Sequence, residues 1–121
     1  MKKVISTTKA PAAIGPYSQA IEANGFVFAS GQMRVDPETG VIPEGIEGQA
    51  EKNMKNLLEA AGTSIDQVVK TSVFIKNMDD FATINGIYAK YFEKDCPARS
   101  CVQIARLPKD VLLEMEAIAV K

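Results

Sequence analysis

The sequence predicts an α+β fold in which two helices cover one face of a mostly antiparallel sheet. Three observations support this: a hairpin signal at Asn24-Gly25, two segments with helical apolar spacing, and three further runs rich in β-branched or alternating apolar residues. The segments follow the order β-β-β-α-β-α-β-β, which is typical of sheets whose helices are grouped on one side. Because the chain has 121 residues, residues 1–121 are expected to form a single domain.

The first three strands are expected near the N-terminus. Asn24-Gly25 favours a two-residue hairpin turn, because both residue types tolerate positive φ. The strands are predicted over 4–7, 18–23 and 26–30. The segment 32–48 is rich in Pro and Gly and predicts a long loop with a turn at Asp36-Pro37. Long loops in small domains are often binding loops.

Two helices are predicted from apolar side chains that recur every three or four residues. The first stripe comprises Ile46, Ala50, Met54, Leu57, Leu58 and Ala61, and Gly62 ends it. The second comprises Phe81, Ile84, Tyr88, Tyr91 and Phe92, with Asn77 as a cap before it and Pro97 after it. The remaining strands are expected over 67–76, 99–105 and 112–120.

Two of these strands carry apolar side chains on both faces. Along the last strand, one face holds Leu113, Met115, Ala117 and Ala119, and the other holds Ile118 and Val120. In strand 67–76, Val69, Val73 and Ile75 are expected to oppose Val68 and Phe74. Two helices can cover one face only, so the other is expected to pack against further copies of the chain, with Val73 among the side chains buried there.

The composition excludes several classes of function. Fourteen basic residues are scattered among fifteen acidic ones, the net charge is −1 and the pI is about 5.5. Nucleic-acid binders usually have a basic surplus, so no nucleic acid is expected as a partner. The sequence contains no apolar run long enough to span a membrane, and its first residues are not expected to form a signal peptide. We therefore expect a cytoplasmic protein, with Cys96 and Cys101 as reduced thiols.

The chain contains no histidine. This excludes Ser-His-Asp and Cys-His catalytic units and removes the commonest transition-metal ligand. Two cysteines without histidine cannot complete the usual zinc site, so no metal is expected. Proton transfer would then depend on Glu, Asp, Tyr, Lys, Cys or bound water.

A candidate anion site lies on strand 99–105, where Arg99, Cys101 and Gln103 share a face. If the last two strands form a hairpin, Glu114 and Glu116 lie near them. The guanidinium could bind a substrate carboxylate and the glutamate could move a proton. An Arg99–Glu114 structural ion pair is the equally weighted alternative.

The other candidates have structural alternatives as well. Cys101 lacks an activating histidine, so the role of a buried small hydrophobe is favoured over that of a nucleophile. Tyr17 could supply a hydroxyl or anchor a strand, Ser30 could line a site or end a strand, and Asn85 could bind a ligand or be a solvated helix amide.

Five stretches together closely resemble the RidA family, also called YjgF or reactive-intermediate deaminase. They are GPYSQA at 15–20, SGQ at 30–32, NMKNLLEAAG at 53–62, FATINGIYAKYF at 81–92 and PARSCVQIARLPKDVLLEMEAIA at 97–119. The resemblance implies a chorismate-mutase-like fold and a homotrimer with a central barrel and ligand sites between subunits. It also implies a 2-iminobutanoate/2-iminopropanoate deaminase, a hydrolase acting on C=N bonds that releases 2-keto acids and ammonia. Its substrates would be 2-aminoacrylate and 2-aminocrotonate from pyridoxal-phosphate-dependent dehydratases, and no cofactor is implied.

Through the resemblance, Arg99 matches the carboxylate-binding arginine and Glu114 the glutamate that positions water or supplies the proton. The pocket positions match Tyr17, Ser30, Gly31, Asn85 and Cys101. Gln103 stands where some members carry glutamate, which bears on specificity. Two other functions remain open: a regulatory module that binds 2-keto acids without turnover, and a ribonuclease, against which the acidic pI counts.

Overall fold

The computed structural model describes residues 1–33, 35–42 and 48–121. The described elements are β1 (Lys3–Ile5), β2 (Ala20–Ala23), β3 (Phe26–Met33), α1 (Gln49–Ala60), β4 (Val68–Ile75), α2 (Phe81–Tyr91), β5 (Ala98–Gln103) and β6 (Leu113–Val120), with 3-10 turns at Ile65–Gln67, Met78–Asp80 and Pro108–Asp110. The strands form one sheet in the order β1-β2-β3-β6-β4-β5. The predicted α+β class and element order are confirmed. Ile46 and parts of the predicted loop 32–48 lie outside the described residues.

The hairpin turn and the helix cap predicted from the sequence are present. Asn24 and Gly25 have φ values of 51° and 81°, and Phe26 pairs with Ala23 across the turn. Asn77 Oδ1 accepts a hydrogen bond of 3.0 Å from the Asp79 backbone N–H, which caps the 3-10 turn leading into α2. In the described part of the chain, no helix has the length and apolar character needed to cross a membrane.

The last two strands do not form a hairpin, and this corrects the expectation from the sequence. β4 lies between them, parallel to β5 and antiparallel to β6. The connection from β4 to β5 runs through α2, and such a helical crossover joins parallel strands. Arg99 therefore pairs with Thr71, whereas Glu114 pairs with Phe74.

Helices and core lie on one face of the sheet. The largest fully buried side chains are Met54, Leu57, Leu58, Ile75, Ile84, Met115, Val27, Val73 and Val111, with the polar Glu51 and Asn53. Val73 is 1% exposed beneath the helices, so its expected place in an interface between copies is wrong. The expected facing of Val68 and Val69 is also wrong: an irregularity between Val68 and Lys70 buries Val68 and leaves Val69 exposed.

The opposite face of the sheet stays open in the single chain. Phe28 pairs with Ile118, and Phe74 pairs with Val102; all four point away from the helices. Phe28 is 45% exposed and Val102 is 44% exposed. The prediction that two helices leave one apolar sheet face uncovered is confirmed.

Candidate functional site

A bulge in β3 brings Gly31 against the side chain of Glu114. The pairing of β3 with β6 shifts between Ala29 and Gln32, so Ser30 and Gly31 form the irregular step. A Cβ atom on Gly31 would lie 2.6 Å from Cδ of Glu114, a separation that real side chains do not adopt. Glycine is therefore required here for the Glu114 carboxyl to occupy its position.

Glu114 and Gly31 line a cavity of about 740 Å³ together with Tyr17 and Ser30. Ser30 Oγ donates a 2.6 Å hydrogen bond to the Ser18 carbonyl, which fixes the hydroxyl. Tyr17 is 52% exposed, and its hydroxyl accepts a 3.4 Å hydrogen bond from the Ile14 N–H. Four of the residues predicted for the site thus lie around one opening.

The carboxyl of Glu114 is half-buried, and burial raises its pKa above the usual range. The negative charge of Glu116, two residues away on the same face of β6, raises that pKa further. A carboxyl whose pKa moves toward neutrality is suited to proton transfer.

Two glutamines that the sequence analysis did not single out support this cavity. Buried Gln19 donates from Nε2 to the carbonyls of Thr7 at 3.1 Å and Pro11 at 2.7 Å. Buried Gln32 donates from Nε2 to the Ser30 carbonyl at 3.1 Å, within the bulge. Both glutamines belong to the stretches GPYSQA and SGQ that carry the family resemblance, which is the signal that could have indicated them.

The second group of predicted residues surrounds the guanidinium of Arg99. Arg99 Nη1 donates a 2.8 Å hydrogen bond to Asn85 Oδ1 on α2. Its Cζ lies 4.8 Å from the ring centroid of Tyr88 and 5.5 Å from that of Phe81. Asn85 is therefore not a solvated helix amide. Tyr88 and Phe81 were predicted only as core residues, and their aromatic rings also contact this cation.

Cys101 lies beside Arg99 on the same face of β5, half-buried and packed against the core. Burial raises the pKa of its thiol, and the charge of Arg99 only partly offsets this. The thiol is thus mostly protonated at neutral pH, which favours the apolar role over the nucleophilic one. Gln103 accepts a 2.8 Å hydrogen bond at Oε1 from the Met78 N–H and so secures the turn before α2.

The two groups lie on opposite faces of the sheet. Arg99 pairs with Thr71 on the face that carries the helices, whereas Glu114 pairs with Phe74 on the open face. An Arg99–Glu114 ion pair within one chain is thereby excluded. The described residues also contain no group of three or more Cys, Asp or Glu arranged to hold a metal ion.

Comparisons with known proteins agree over the whole chain. A family model described as Endoribonuclease L-PSP matches residues 7–121. The 2-iminobutanoate/2-iminopropanoate deaminase of Salmonella typhimurium is 49% identical over 127 aligned positions, covering 100% of this chain and 99% of the relative. The RutC family protein PH0854 of Pyrococcus horikoshii is 53% identical, covering 100% of this chain and 99% of the relative.

A solved structure gives the same result. The crystal structure of Escherichia coli TdcF with bound serine matches with a TM-score of 0.94 at 50% identity, covering 98% of each chain. The chain therefore belongs to the endoribonuclease L-PSP family, the RidA or YjgF family that its sequence resembles.

Proposed function

We propose that residues 1–121 act as a single-domain deaminase that hydrolyses 2-imino acids, and the enamines in equilibrium with them, to 2-keto acids and ammonia. The observation that carries the proposal is the half-buried Glu114 carboxyl, with its raised pKa, against Gly31 in a cavity. The name of the Salmonella relative supports the reaction, and the serine bound by TdcF supports a small ligand that carries a carboxylate.

The chemistry needs few groups. Water adds to the carbon of the C=N bond and one of its protons is transferred to the nitrogen, which gives a tetrahedral carbinolamine. The hydroxyl proton of this intermediate then passes to the amino group as the C–N bond breaks, so ammonia leaves and the hydroxyl oxygen becomes the keto oxygen. In our proposal Arg99 binds the carboxylate, and Glu114 accepts a proton from the water and returns it to the nitrogen. Such orientation with one acid–base group requires no covalent intermediate, which agrees with the protonated thiol of Cys101.

The proposal requires more than one copy of the chain. Because Arg99 and Glu114 lie on opposite faces of the sheet, one ligand can contact both only where two subunits meet. The open face that carries Phe28 and Ile118 provides the apolar surface for this contact. We propose a closed homotrimer with a central barrel, in which Glu114, Gly31, Ser30 and Tyr17 of one subunit face Arg99, Asn85 and Cys101 of another.

The test couples a pyridoxal-phosphate-dependent serine or threonine dehydratase to detection of the 2-keto acid. The wild-type protein is expected to accelerate release of the keto acid above the unaided rate. Arg99→Ala is expected to lose about 100-fold in kcat/KM, and Arg99→Lys most of the activity, because lysine lacks the bidentate fork. Lys90→Ala removes an exposed cation from α2 and is the matched control.

An unchanged rate of keto-acid release with the wild-type protein would remove the deaminase proposal. Binding of 2-keto acids without acceleration would point instead to a regulatory module. Cleavage of RNA by a preparation that does not accelerate keto-acid release would favour the activity in the family's descriptive name. The net charge of −1 gives little support to that outcome.

A further inference from the structure

We infer that Tyr88 is a positioning residue for Arg99 and that, with Asn85, it directs the Nε–Nη2 edge of the guanidinium toward the ligand carboxylate. The inference rests on the proposed role of Arg99 in carboxylate binding. It goes further by stating what holds the guanidinium and which of its edges is available.

The contact between Tyr88 and Arg99 is a cation–π contact. The guanidinium carbon lies 4.8 Å from the centroid of the Tyr88 ring, and Phe81 adds a second ring at 5.5 Å. Tyr88 is 7% exposed, so little solvent screens this contact. An arginine side chain has several rotatable bonds, and contact with an aromatic ring restricts the plane of the guanidinium.

Tyr88 is itself held in place from two sides. Its hydroxyl is 2.8 Å from Oγ1 of Thr71, and its ring lies 4.4 Å from the ring of Phe92, centroid to centroid. Thr71 is also the residue that pairs with Arg99 between β4 and β5. The same position of β4 thus fixes both the backbone of Arg99 and the ring below its guanidinium.

Asn85 occupies one N–H group of Nη1, which leaves the Nε–Nη2 edge as the one on which neither nitrogen is engaged by the described residues. Its Oδ1 accepts the 2.8 Å hydrogen bond from Nη1, whereas Nε and Nη2 of Arg99 donate to no residue in the described part of the chain. A carboxylate binds arginine most strongly through two parallel N–H groups. We therefore assign the Nε–Nη2 edge to the ligand and Nη1 to Asn85.

Tyr88 acts here as a neutral ring. Burial raises the pKa of its hydroxyl, while the hydrogen bond to Thr71 and the charge of Arg99 oppose this. No proton transfer by Tyr88 is involved.

The experiment measures the Kd of 2-oxobutanoate by calorimetry. The methyl ester of 2-oxobutanoate, which has no negatively charged carboxylate for Arg99 to bind, is measured in parallel. For Tyr88→Leu we expect Kd to rise about tenfold, the size of a desolvated cation–π contact. Tyr88→Phe keeps the ring and should change Kd by no more than about threefold. Phe81→Leu alters a more exposed ring and should raise Kd about threefold, which keeps the test valid if Tyr88→Leu fails to fold.

A double-mutant cycle separates positioning of Arg99 from a general structural effect. In an Arg99→Ala background, Tyr88→Leu and Phe81→Leu should no longer alter the Kd of 2-oxobutanoate. Neither substitution should alter binding of the methyl ester, whether or not Arg99 is present. Tyr91→Phe, one helical turn further along α2, is the control and should match the wild type.

Equal effects with and without Arg99, or an unchanged Kd in folded Tyr88→Leu protein, would overturn the inference. So would equal binding by wild-type and Arg99→Ala proteins. Keto-acid binding that follows the expected pattern without any imine hydrolysis would instead overturn the deaminase proposal and leave the inference standing.

Discussion

Gly31 and Glu114 occupy adjoining space so closely that no side chain fits between them. A Cβ on Gly31 would lie 2.6 Å from Cδ and 2.8 Å from Cγ of Glu114. The neighbouring Gln32 donates to the Ser30 carbonyl and thereby stabilises the bulge from the buried side. The position of the proposed acid–base group thus depends on a residue that contributes no functional group of its own.

Gly31→Ala is expected to displace the Glu114 carboxyl and lower kcat by about 10- to 100-fold, because an acid–base group must lie within hydrogen-bond reach of the reacting proton. The measurement is steady-state imine hydrolysis. Gly86→Ala is the control, because a Cβ there meets nothing within 4 Å and alanine favours the helix. Full activity in a folded Gly31→Ala protein would show that the Glu114 position is not required.

The pH profile should depend on Glu116. Its negative charge contributes to the raised pKa of Glu114, so Glu116→Gln is expected to lower that pKa. If Glu114 accepts a proton from water, kcat rises with pH as Glu114 ionises, and this acidic limb should move to lower pH in Glu116→Gln. Glu114→Gln should abolish the limb and reduce kcat by about 100-fold. If the acidic limb stays at the same pH in Glu116→Gln, the charge of Glu116 does not influence the ionisation of Glu114, and the prediction is wrong.

Cys101→Ser should keep its activity within about fivefold of the wild type, because burial keeps the thiol protonated and the chain has no histidine to activate it. The steady-state assay is combined with mass spectrometry of the protein during turnover. Complete inactivation of folded Cys101→Ser, or an adduct on Cys101 in the wild type, would contradict the non-covalent mechanism.

The sequence was sufficient to predict the elements but not the strand neighbours. Apolar spacing and the Asn24-Gly25 turn depend on nearby residues, and both predictions are confirmed. Strand pairing depends on contacts far apart in the chain, and consecutive strands such as β5 and β6 pair often enough for a hairpin to be the first expectation. The insertion of β4 between them has no local signal and separates Arg99 from Glu114 by one strand. The register of β5 and β6 on β4 then places the two side chains on opposite faces, because Arg99 pairs with Thr71 and Glu114 with Phe74.

For the candidate site, the sequence indicated which residues to consider but not how they are arranged in the folded chain. The stretches GPYSQA, SGQ and PARSC indicated Tyr17, Ser30, Gly31 and Arg99. The role of Tyr88 could not be read from its spacing, because a ring in an apolar stripe is the same signal whether or not a cation packs on it. The sequence assigned Val68 and Val69 to the wrong faces of the sheet because strand patterns assume that successive side chains alternate between faces. The irregularity between Val68 and Lys70 interrupts that alternation.

Glu51→Gln is expected to stabilise the fold at neutral pH. Glu51 is 2% exposed, and its Oε2 has no hydrogen-bond partner among the residues that the structure describes. Burial raises its pKa, so the folded state prefers the protonated carboxyl, and stability falls as the pH rises from the usual pKa of 4.5 through the raised value. We expect a gain in unfolding free energy of about 1–3 kcal/mol at pH 7 that disappears below pH 4.5.

Urea unfolding at pH 4 and pH 7 measures this difference. Glu59→Gln on the same helix is the control, because that carboxyl is exposed beside Lys55 and should change little at either pH. A loss of stability in Glu51→Gln at pH 7 would mean that the charged form is favoured in the folded chain.

Phe28→Glu is expected to dissociate the proposed trimer and abolish activity together. Phe28 lies on the open face next to Ile118, and burial of such side chains between subunits would contribute about 1.5–3 kcal/mol each. A charge at that position would have to be desolvated in the interface, whereas in a lone chain it remains in water. Activity should fall at least 100-fold, because Arg99 and Glu114 then no longer meet around one ligand.

Sedimentation equilibrium at the assay concentration measures the assembly. The wild type should have three times the chain mass, and Phe28→Glu the mass of one chain with an unchanged circular dichroism spectrum. Val41→Glu adds the same charge at an exposed apolar loop residue and should remain trimeric and active. A single chain with full activity would contradict both the trimer and the site shared between subunits, since no ligand of three or four carbons reaches through the β-sheet that separates Arg99 from Glu114.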